Sequence, residues 1–167
     1  NLASEKNHIL PVVTEKDYYV SMILRGLSEK IDYTVFKGGT SLSKCHRIIR
    51  RFSEDIDITV DAKISQGQMK KLKQAIKECA EELGMEITNL DETRSRRNYN
   101  RYILKYESVI PSESEVVDTQ VLLETSFAET SFPVEMLTVH SYIGDMMEEE
   151  APDLRSDYML ESYEMKV

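Results

Sequence analysis

Two short segments early in the chain constrain the fold more than any other feature. In the first, residues 33–42, a β-prone stretch meets two consecutive glycines and then residues that favour a helix. In the second, residues 55–60, Asp, Ile, Asp, Ile, Thr and Val alternate with the period of two that is typical of a strand with one polar and one apolar face. Together they predict a strand, a glycine turn, a helix and a second strand.

The glycine turn is a candidate phosphate site. Gly38 and Gly39 let the backbone come close to a ligand, and the helix that follows directs its free N–H groups at an anion placed there. Thr40 or Ser41 can add a hydroxyl group to this cradle. On its own, the same pair of glycines is equally typical of a simple tight turn, so the turn needs support from another motif.

The two aspartates of the second segment form a candidate metal site. Residues two apart on a strand point to the same side, so Asp55 and Asp57 present their carboxylates together while Ile56 and Ile58 point inward. Such a pair repels unless a cation lies between the two groups, and a hard divalent ion bound through oxygen resolves the repulsion. Magnesium fits best, with manganese as the alternative. The competing interpretation is a solvated strand face.

In combination the two segments favour phosphoryl-transfer chemistry, because the turn would hold phosphate oxygens and the strand the metal that those oxygens need. A third carboxylate would complete a two-metal site and help to deprotonate the attacking hydroxyl. Glu124 is the first candidate because it follows the apolar run 121–123, where an acid is costly to bury unless it is paired or bound to a metal. Glu115 and Asp118 are the alternatives, although their polar surroundings are typical of exposed residues.

Apolar periodicity predicts the other elements. A helix that begins at Thr14, with Asp17 in a capping-box position, carries a buried stripe, and a second amphipathic helix spans 66–83 with Gly84 to end it. Further strands are predicted at residues 85–89, 99–106, 116–125, 134–140 and 158–167, and part of 141–156 is predicted to be helical. These elements divide the chain into an N-terminal arm at 1–12, a core at 13–140 and an acidic segment at 141–167 that begins a further region.

The helix after the glycine turn is predicted at residues 40–50. Its spacing directs Leu42, Cys45, Ile48 and Ile49 inward and Lys44, Arg47 and Arg50 toward solvent. Cys45 and Cys79 lack the paired spacing of a zinc site, and both are interpreted as buried, reduced thiols.

Composition limits the class of protein. A net charge of −9 argues against general coating of nucleic acid, since such binding depends on clustered Lys and Arg. Local basic patches remain at residues 47–51 and 94–105. The longest nearly apolar stretch, 18–27, is shorter than the ~20 residues of a membrane span, and the N-terminus carries no secretion signal. We therefore expect a cytoplasmic protein that does not enter a membrane.

Two motifs carry a resemblance to a known family. Residues 37–42, Lys-Gly-Gly-Thr-Ser-Leu, together with residues 51–58, Arg-Phe-Ser-Glu-Asp-Ile-Asp-Ile, resemble the abortive-infection nucleotidyltransferase toxins of the AbiEii/AbiGii type. Residues 15–19 are similar to the helix that opens the domain of that family, and residues 123–126 are similar to its third acidic motif. These polymerase-β-like enzymes occur in bacterial and archaeal toxin–antitoxin and phage-defence systems.

The resemblance implies an α+β fold with a polymerase-β-like nucleotidyltransferase core, in which a mixed sheet is flanked by helices. It implies magnesium on Asp55, Asp57 and Glu124, and a nucleoside triphosphate, with GTP as one candidate. The nucleotide-binding residues that it implies are Lys37, Gly38, Gly39, Thr40, Ser41, Arg51 and Ser53. A nucleotidyl group would pass to an acceptor hydroxyl on RNA, in some members the 3′ end of a transfer RNA. The expected partner is a cognate antitoxin from the same operon.

Other interpretations also follow from the sequence. A P-loop at residues 38–44 lacks the glycine that should precede Lys44. A haloacid-dehalogenase-type phosphatase would use Asp55 as nucleophile, but residues 50–54 are polar where that family has a hydrophobic strand. A protein-interaction module would use the acidic run 148–150 against a basic partner. Family members continue into a helical C-terminal region with further site residues, so we expect the chain to be a fragment of a longer protein.

Overall fold

The chain folds around a long helix and a mixed sheet. The computed structural model describes residues 2–49, 53–60, 63–111, 118–128 and 133–167. Its helices are α1 (Leu2–Asn7), α2 (Pro11–Lys30), α3 (Gly38–Lys44), α4 (Gln66–Glu82) and α5 (Tyr142–Glu150). Its strands are β1 (Thr34–Lys37), β2 (Ile56–Val60), β3 (Glu86–Ile87), β4 (Tyr99–Lys105), β5 (Gln120–Phe127), β6 (Met136–Val139) and β7 (Tyr163–Lys166). Short 3₁₀ helices lie at Leu90–Glu92, Pro152–Leu154 and Ser156–Tyr158.

Strand pairing gives a sheet of mixed direction. Within the described residues, β1, β2, β5, β4 and β3 pair in that order. β2 and β5 are parallel, whereas the other neighbouring strands are antiparallel. The combination of this mixed sheet with helices confirms the predicted α+β class. Because β2 and β5 are neighbours, residues at the start of β2 lie directly beside the middle of β5.

The core lies between the sheet and the two long helices. Its fully buried side chains include Val20, Ile23, Leu27, Ile58, Ile76 and Leu123. Burying an aliphatic side chain of this size contributes about 1.5–3 kcal/mol. Helix α4 approaches α2 at Gly26, where a Cβ atom would lie 2.7 Å from Sγ of Cys79, so the missing side chain permits this close approach. Burial raises the pKa of the Cys79 thiol to about 11, which keeps the thiol protonated.

The two faces of the sheet differ in polarity. Along β4, buried Asn100, Tyr102 and Leu104 alternate with exposed Tyr99 and Arg101. The alternation follows from the two-residue period of a strand, in which successive side chains point to opposite faces. One face therefore completes the core, and the other presents charged side chains.

The C-terminal segment packs back on the N-terminal helices. β6 and β7 form a separate antiparallel pair, and the hydroxyl of Tyr163 donates to the backbone oxygen of Ser21 at 2.7 Å. Lys6 of α1 forms an ion pair with Glu149 of α5. These contacts attach the segment after residue 141 to the helices at the start of the chain.

Several element boundaries differ from the prediction. α2 begins at Pro11, not at Thr14, because a proline in the first turn needs no partner for its missing N–H. Residues 2–7, predicted to be an irregular arm, form α1. α3 begins at Gly38 and ends at Lys44, so Ile48 lies beyond the helix and is exposed.

The predicted orientation of α3 is wrong at two positions. Leu42, predicted to face inward, is exposed, and Lys44, predicted to face solvent, has a side chain that is only 5% exposed. The Lys44 ammonium group forms an ion pair with Asp17 and donates to the hydroxyl of Ser21 at 2.8 Å and to the backbone oxygen of His140 at 3.2 Å. Helical periodicity predicts burial from apolarity alone and does not reveal a charged partner elsewhere in the chain.

Candidate active site

A row of charged residues crosses the open face of the sheet. Lys37 is the register partner of Asp57, Asp57 of Glu124, and Glu124 of Arg101. Neighbouring strands lie about 4.8 Å apart, and side chains in register point to the same face. The fold therefore brings together Asp57 and Glu124, which are far apart in the sequence, and places one basic residue at each end of the row.

Asp55 stands beside this row. It directly precedes β2 and is exposed, two residues before Asp57 and on the same side. Partial desolvation by the surrounding residues nevertheless raises the pKa of Asp55, and the charges of Glu124 and Glu54 raise it further. Burial likewise raises the pKa of Asp57, with additional contributions from Glu124 and then from Asp55. The three predicted acids are thus close enough to repel one another when all are ionised.

Glu124 differs from the two aspartates because it already has cationic and hydroxyl partners. Nε of Arg101 donates to Oε1 of Glu124 at 2.8 Å, and Nη2 lies 2.6 Å from the same oxygen. Burial alone would raise the pKa of Glu124, but hydrogen bonds from Tyr99 and Arg101 outweigh burial and lower it. The charge of Glu124 is therefore compensated within the protein.

The glycine turn faces the carboxylate of Asp57. Gly38 has φ +78°, a left-handed conformation that side chains disfavour. A Cβ atom at this position would overlap Oδ2 of Asp57 and would lie 2.8 Å from Cγ of the same residue. Only glycine therefore lets the backbone of the turn pass this close to the acid. The turn and the aspartate form one continuous surface.

The hydroxyl groups predicted to line the turn are used within the protein. Thr40 is buried, and its hydroxyl donates to the backbone oxygen of Asp55. Ser41 is also buried and donates to the backbone oxygen of Gly38 at 3.0 Å. These two bonds fix the first turn of α3 against the segment that carries the aspartates. Gly39, which directly precedes Thr40, is half-buried.

The remaining predicted residues lie in different surroundings. Lys37 is exposed, and its charge partly offsets the rise in the pKa of Asp57. Ser53 lines a polar cavity of about 530 Å³ together with Ser43 and Lys44, and none of the three predicted acids lines that cavity. Arg51 lies outside the described residues.

One of the two alternatives for the third acid can be placed. Asp118 precedes β5 and is exposed, and its backbone oxygen accepts a hydrogen bond from Lys16. Glu115 lies outside the described residues. Among the placed acids, Glu124 alone is in register with Asp57.

Sequence reasoning missed the role of Lys16. This residue is buried and forms an ion pair with Glu54, and its charge partly offsets the rise in the pKa of Asp55. Its position is consistent with helical spacing, because Lys16 lies four residues before Val20 on the apolar stripe of α2. A basic residue on an otherwise apolar stripe was the available signal for a buried ion pair.

Sequence reasoning also left Arg101 without a specific role. The residue belongs to the basic patch at 94–105, to which the sequence alone assigned no function. The alternation of β4 gave a further signal, because it places Arg101 on the polar face together with Tyr99. The partner on β5 became identifiable only through the strand register.

The acids fit a hard divalent cation in their chemistry. Asp55, Asp57 and Glu124 offer carboxylate oxygens, which magnesium and manganese prefer. In arrangement, the described residues contain no group of three His, Cys, Asp or Glu side chains gathered closely enough to hold an ion. Oε1 of Glu124 is engaged by Arg101.

The local structure disfavours a phosphatase of the haloacid-dehalogenase type. Such an enzyme places its nucleophile after a hydrophobic strand, whereas residues 53–55 are irregular and Asp55 precedes β2.

No helix in the described ranges combines the length and the apolar character that crossing a lipid bilayer requires.

Comparison with known proteins identifies the family. Searches of curated proteins and of solved structures gave no match. The sequence model of the family described as nucleotidyl transferase AbiEii toxin, type IV TA system, matches residues 23–160. The matched range contains the glycine turn, both aspartates and Glu124, and it covers most of the chain. The chain therefore belongs to the AbiEii nucleotidyltransferase toxins of type IV toxin–antitoxin systems.

Proposed function

We propose that this protein transfers a nucleotidyl group and that Asp55, Asp57 and Glu124 hold the magnesium, or alternatively manganese, that the reaction needs. The observation that carries the proposal is the register of Asp57 with Glu124, with Gly38 lying against the Asp57 carboxylate. The oxygen donors suit a hard cation. When bound, such an ion supplies charge neutralisation at the phosphates and lowers the pKa of an attacking hydroxyl.

The residues around the acids would bind the nucleotide. Because Gly38 has no side chain, the backbone of the turn lies against the Asp57 carboxylate, and phosphate bound at the turn would lie beside that acid. Lys37 supplies positive charge at that end of the row. Thr40 and Ser41 keep the turn in this shape through their bonds to backbone oxygens. The proposed nucleotide-binding set is Lys37, Gly38, Gly39, Arg51 and Ser53, and Thr40 and Ser41 belong to the site as the residues that hold the turn.

The proposed reaction is an in-line displacement. The acceptor oxygen forms a bond to the α-phosphorus of the nucleoside triphosphate, the bond from that phosphorus to the β-phosphate oxygen breaks, and diphosphate leaves. The acceptor hydroxyl loses its proton during the attack, and we assign a carboxylate oxygen of Glu124 as its recipient. The open face of the sheet leaves the row accessible to an acceptor from solvent.

The substrates and partners are also proposals. We assign GTP as the first nucleotide to test, RNA as the acceptor, including the 3′ end of transfer RNA, and an antitoxin of the same operon as the partner. Cytoplasmic action in toxin–antitoxin or phage defence is part of the same proposal, and membership of a toxin–antitoxin family supports it. The net charge of −9 favours contact with a short RNA end over contact along an extended strand.

A labelling experiment tests the function. The protein is incubated with each radiolabelled nucleoside triphosphate and total cellular RNA, with magnesium or with excess chelator. We expect label on RNA only with magnesium, and a loss of at least ~100-fold in Asp57→Asn, the range for removing a charged group that acts in the transition state. Asp153→Asn removes an exposed acid elsewhere and should label RNA normally. Equal labelling by the Asp57 variant would remove that residue from the mechanism.

An interaction module is the second candidate function. A cavity of about 580 Å³ with a mainly apolar lining lies among residues of α1, α2 and α5, and its lining includes Leu2, Tyr158 and Val109, of which Val109 is 83% exposed. Exposed apolar groups of this kind suit a protein partner. Growth inhibition by Asp57→Asn at the wild-type level would favour this function over nucleotidyl transfer.

A further inference from the structure

The pair of Arg101 and Glu124 distinguishes the third acid from the other two. Two guanidinium nitrogens of Arg101 contact the single oxygen Oε1 of Glu124. Tyr99 lies two residues earlier on the same face of β4. In the part of the chain that the structure describes, the carboxylates of Asp55 and Asp57 form no such ion pair. Arg101 thus occupies a carboxylate oxygen of Glu124 that a cation shared by the three acids would need as a ligand.

The pair is also easy to open. The Arg101 side chain is 54% exposed and that of Glu124 is 23% exposed, so water can solvate both charges once they separate. Ion pairs at this level of exposure contribute little to stability. A guanidinium released from Glu124 remains on the same face of the sheet, one strand from the acid, because β4 fixes its backbone.

We propose that Arg101 is a nucleotide-binding residue that exchanges partners: it holds Glu124 when no divalent cation is bound, and it contacts the nucleotide phosphates when the cation takes that carboxylate. The inference rests on the proposed function. A divalent ion and a guanidinium compete for the same oxygen, and the forked donors of arginine match phosphate oxygens as well as carboxylates. The exchange places a positive charge near a triphosphate that the acids would otherwise repel.

Binding of Mn²⁺, measured by electron paramagnetic resonance, tests the first half of the exchange. Removing the competitor in Arg101→Gln should lower the Kd for Mn²⁺ by about threefold, the scale of an exposed ion pair. Lys105→Gln removes an equal charge farther along the same strand, where the register partner is Gln120, and should change the Kd much less. In a Glu124→Gln background, Arg101→Gln should have no effect, because the competition acts through that carboxylate.

Binding of inorganic tripolyphosphate in the presence of saturating Mn²⁺ tests the second half, and it does not depend on the base or on turnover. Arg101→Gln should weaken this binding about tenfold, as expected for the loss of a charge-assisted contact, and Arg101→Lys should restore part of it. The opposite signs for cation and phosphate separate an exchanging residue from one that only supports the fold. Thermal melts of each variant show whether it is folded.

The outcomes are distinguishable. A wild-type protein that binds no Mn²⁺ overturns the proposed function and the exchange together. If the wild-type protein binds Mn²⁺ and Arg101→Gln binds it with the same Kd, the exchange is overturned and the proposed function stays in place. An equal change of the Kd in Arg101→Gln and Lys105→Gln has the same meaning. The exchange is also overturned if Arg101→Gln changes the Kd for Mn²⁺ equally in the wild-type and the Glu124→Gln backgrounds.

Discussion

Helix α3 connects two charged clusters that differ in burial and in balance. At its C-terminal end, Lys44 and Asp17 are each about 5% exposed, and every contact pairs a donor with an acceptor. At its N-terminal end, Gly38 lies against Asp57, whose pKa is raised because Asp55 and Glu124 lie close to it and the charge of Lys37 offsets them only in part. The comparison teaches that buried charges which satisfy each other hold the fold, whereas accessible acids that are only partly compensated are available to a ligand.

The largest expected effect is at the buried cluster. Lys44→Met leaves the carboxylate of Asp17 buried without its cation and should reduce the free energy of unfolding by about 3–5 kcal/mol. Urea denaturation measures this. The exposed pair of Lys30 and Glu82 is the control, because Lys30→Gln should cost less than about 1 kcal/mol. Equal losses in the two variants would remove the distinction between the clusters.

A glycine replacement separates backbone strain from crowding at the acidic cluster. Gly38→Ala combines a positive φ with overlap of the Asp57 carboxylate, whereas Gly84→Ala has a similar φ of +65° and no atom within 4 Å of the new Cβ. We expect each to lose about 1–2 kcal/mol from the left-handed conformation. Only Gly38→Ala should also weaken Mn²⁺ binding. Unchanged Mn²⁺ affinity in Gly38→Ala would show that the turn does not define the site.

Neutralising an acid of the exposed cluster should raise the stability of the fold, whereas breaking the buried ion pair should lower it. The raised pKa of Asp57 means that the folded protein keeps this proton to a higher pH than the unfolded chain does. The stability contributed by protonation is therefore lost as the pH rises from about 3.9, the ordinary value for aspartate, through the raised pKa. Asp57→Asn avoids that loss and should raise the Tm at neutral pH by no more than ~2–4 °C.

Melting curves between about pH 4 and about pH 7 measure the difference between this variant and the wild type. The gain should grow with pH across the lower part of that range and then level off. Asp153→Asn, at an exposed position, supplies the baseline. A lower Tm for Asp57→Asn at neutral pH would mean that Asp57 stabilises the fold instead of straining it.

The smallest expected effect on folding is at the exposed ion pair. Arg101→Gln should shift the Tm by no more than ~1 °C, because water replaces the lost partner of Glu124. The comparison becomes sharper, because an ion pair would be needed for the stability of the fold at Lys44 and not at Arg101. A Tm loss similar to that of Lys44→Met would assign the Arg101 pair to the structural group.

Prediction from sequence succeeded where the signal is local. The apolar spacing of residues 66–83 and the glycine after them correspond to α4 and to the positive φ of Gly84. The alternation of residues 55–60 corresponds to β2, with Ile56 and Ile58 fully or almost fully buried. Both patterns depend on the repeat of the backbone itself, so neighbouring residues are sufficient to reveal them.

Prediction failed where a charged side chain has a distant partner. Helical spacing predicted that Lys44 faces solvent, but an ion pair with Asp17 on another helix keeps the side chain buried. The same limit applied to Lys16, whose partner Glu54 lies in a different segment, and to Arg101, whose partner lies on β5. A burial rule based on polarity has no means of recognising such compensation.

The sequence by itself determined the family, the glycine turn, the alternating aspartates and the division of the long helices into apolar and polar faces. The tertiary structure decided which acids meet. Parallel pairing of β2 with β5 is the physical reason, because a register shift of one residue would turn Glu124 to the opposite face from Asp57. It also decided that Arg101, and not solvent, is the partner of Glu124, since antiparallel pairing with β4 places the guanidinium beside that carboxylate.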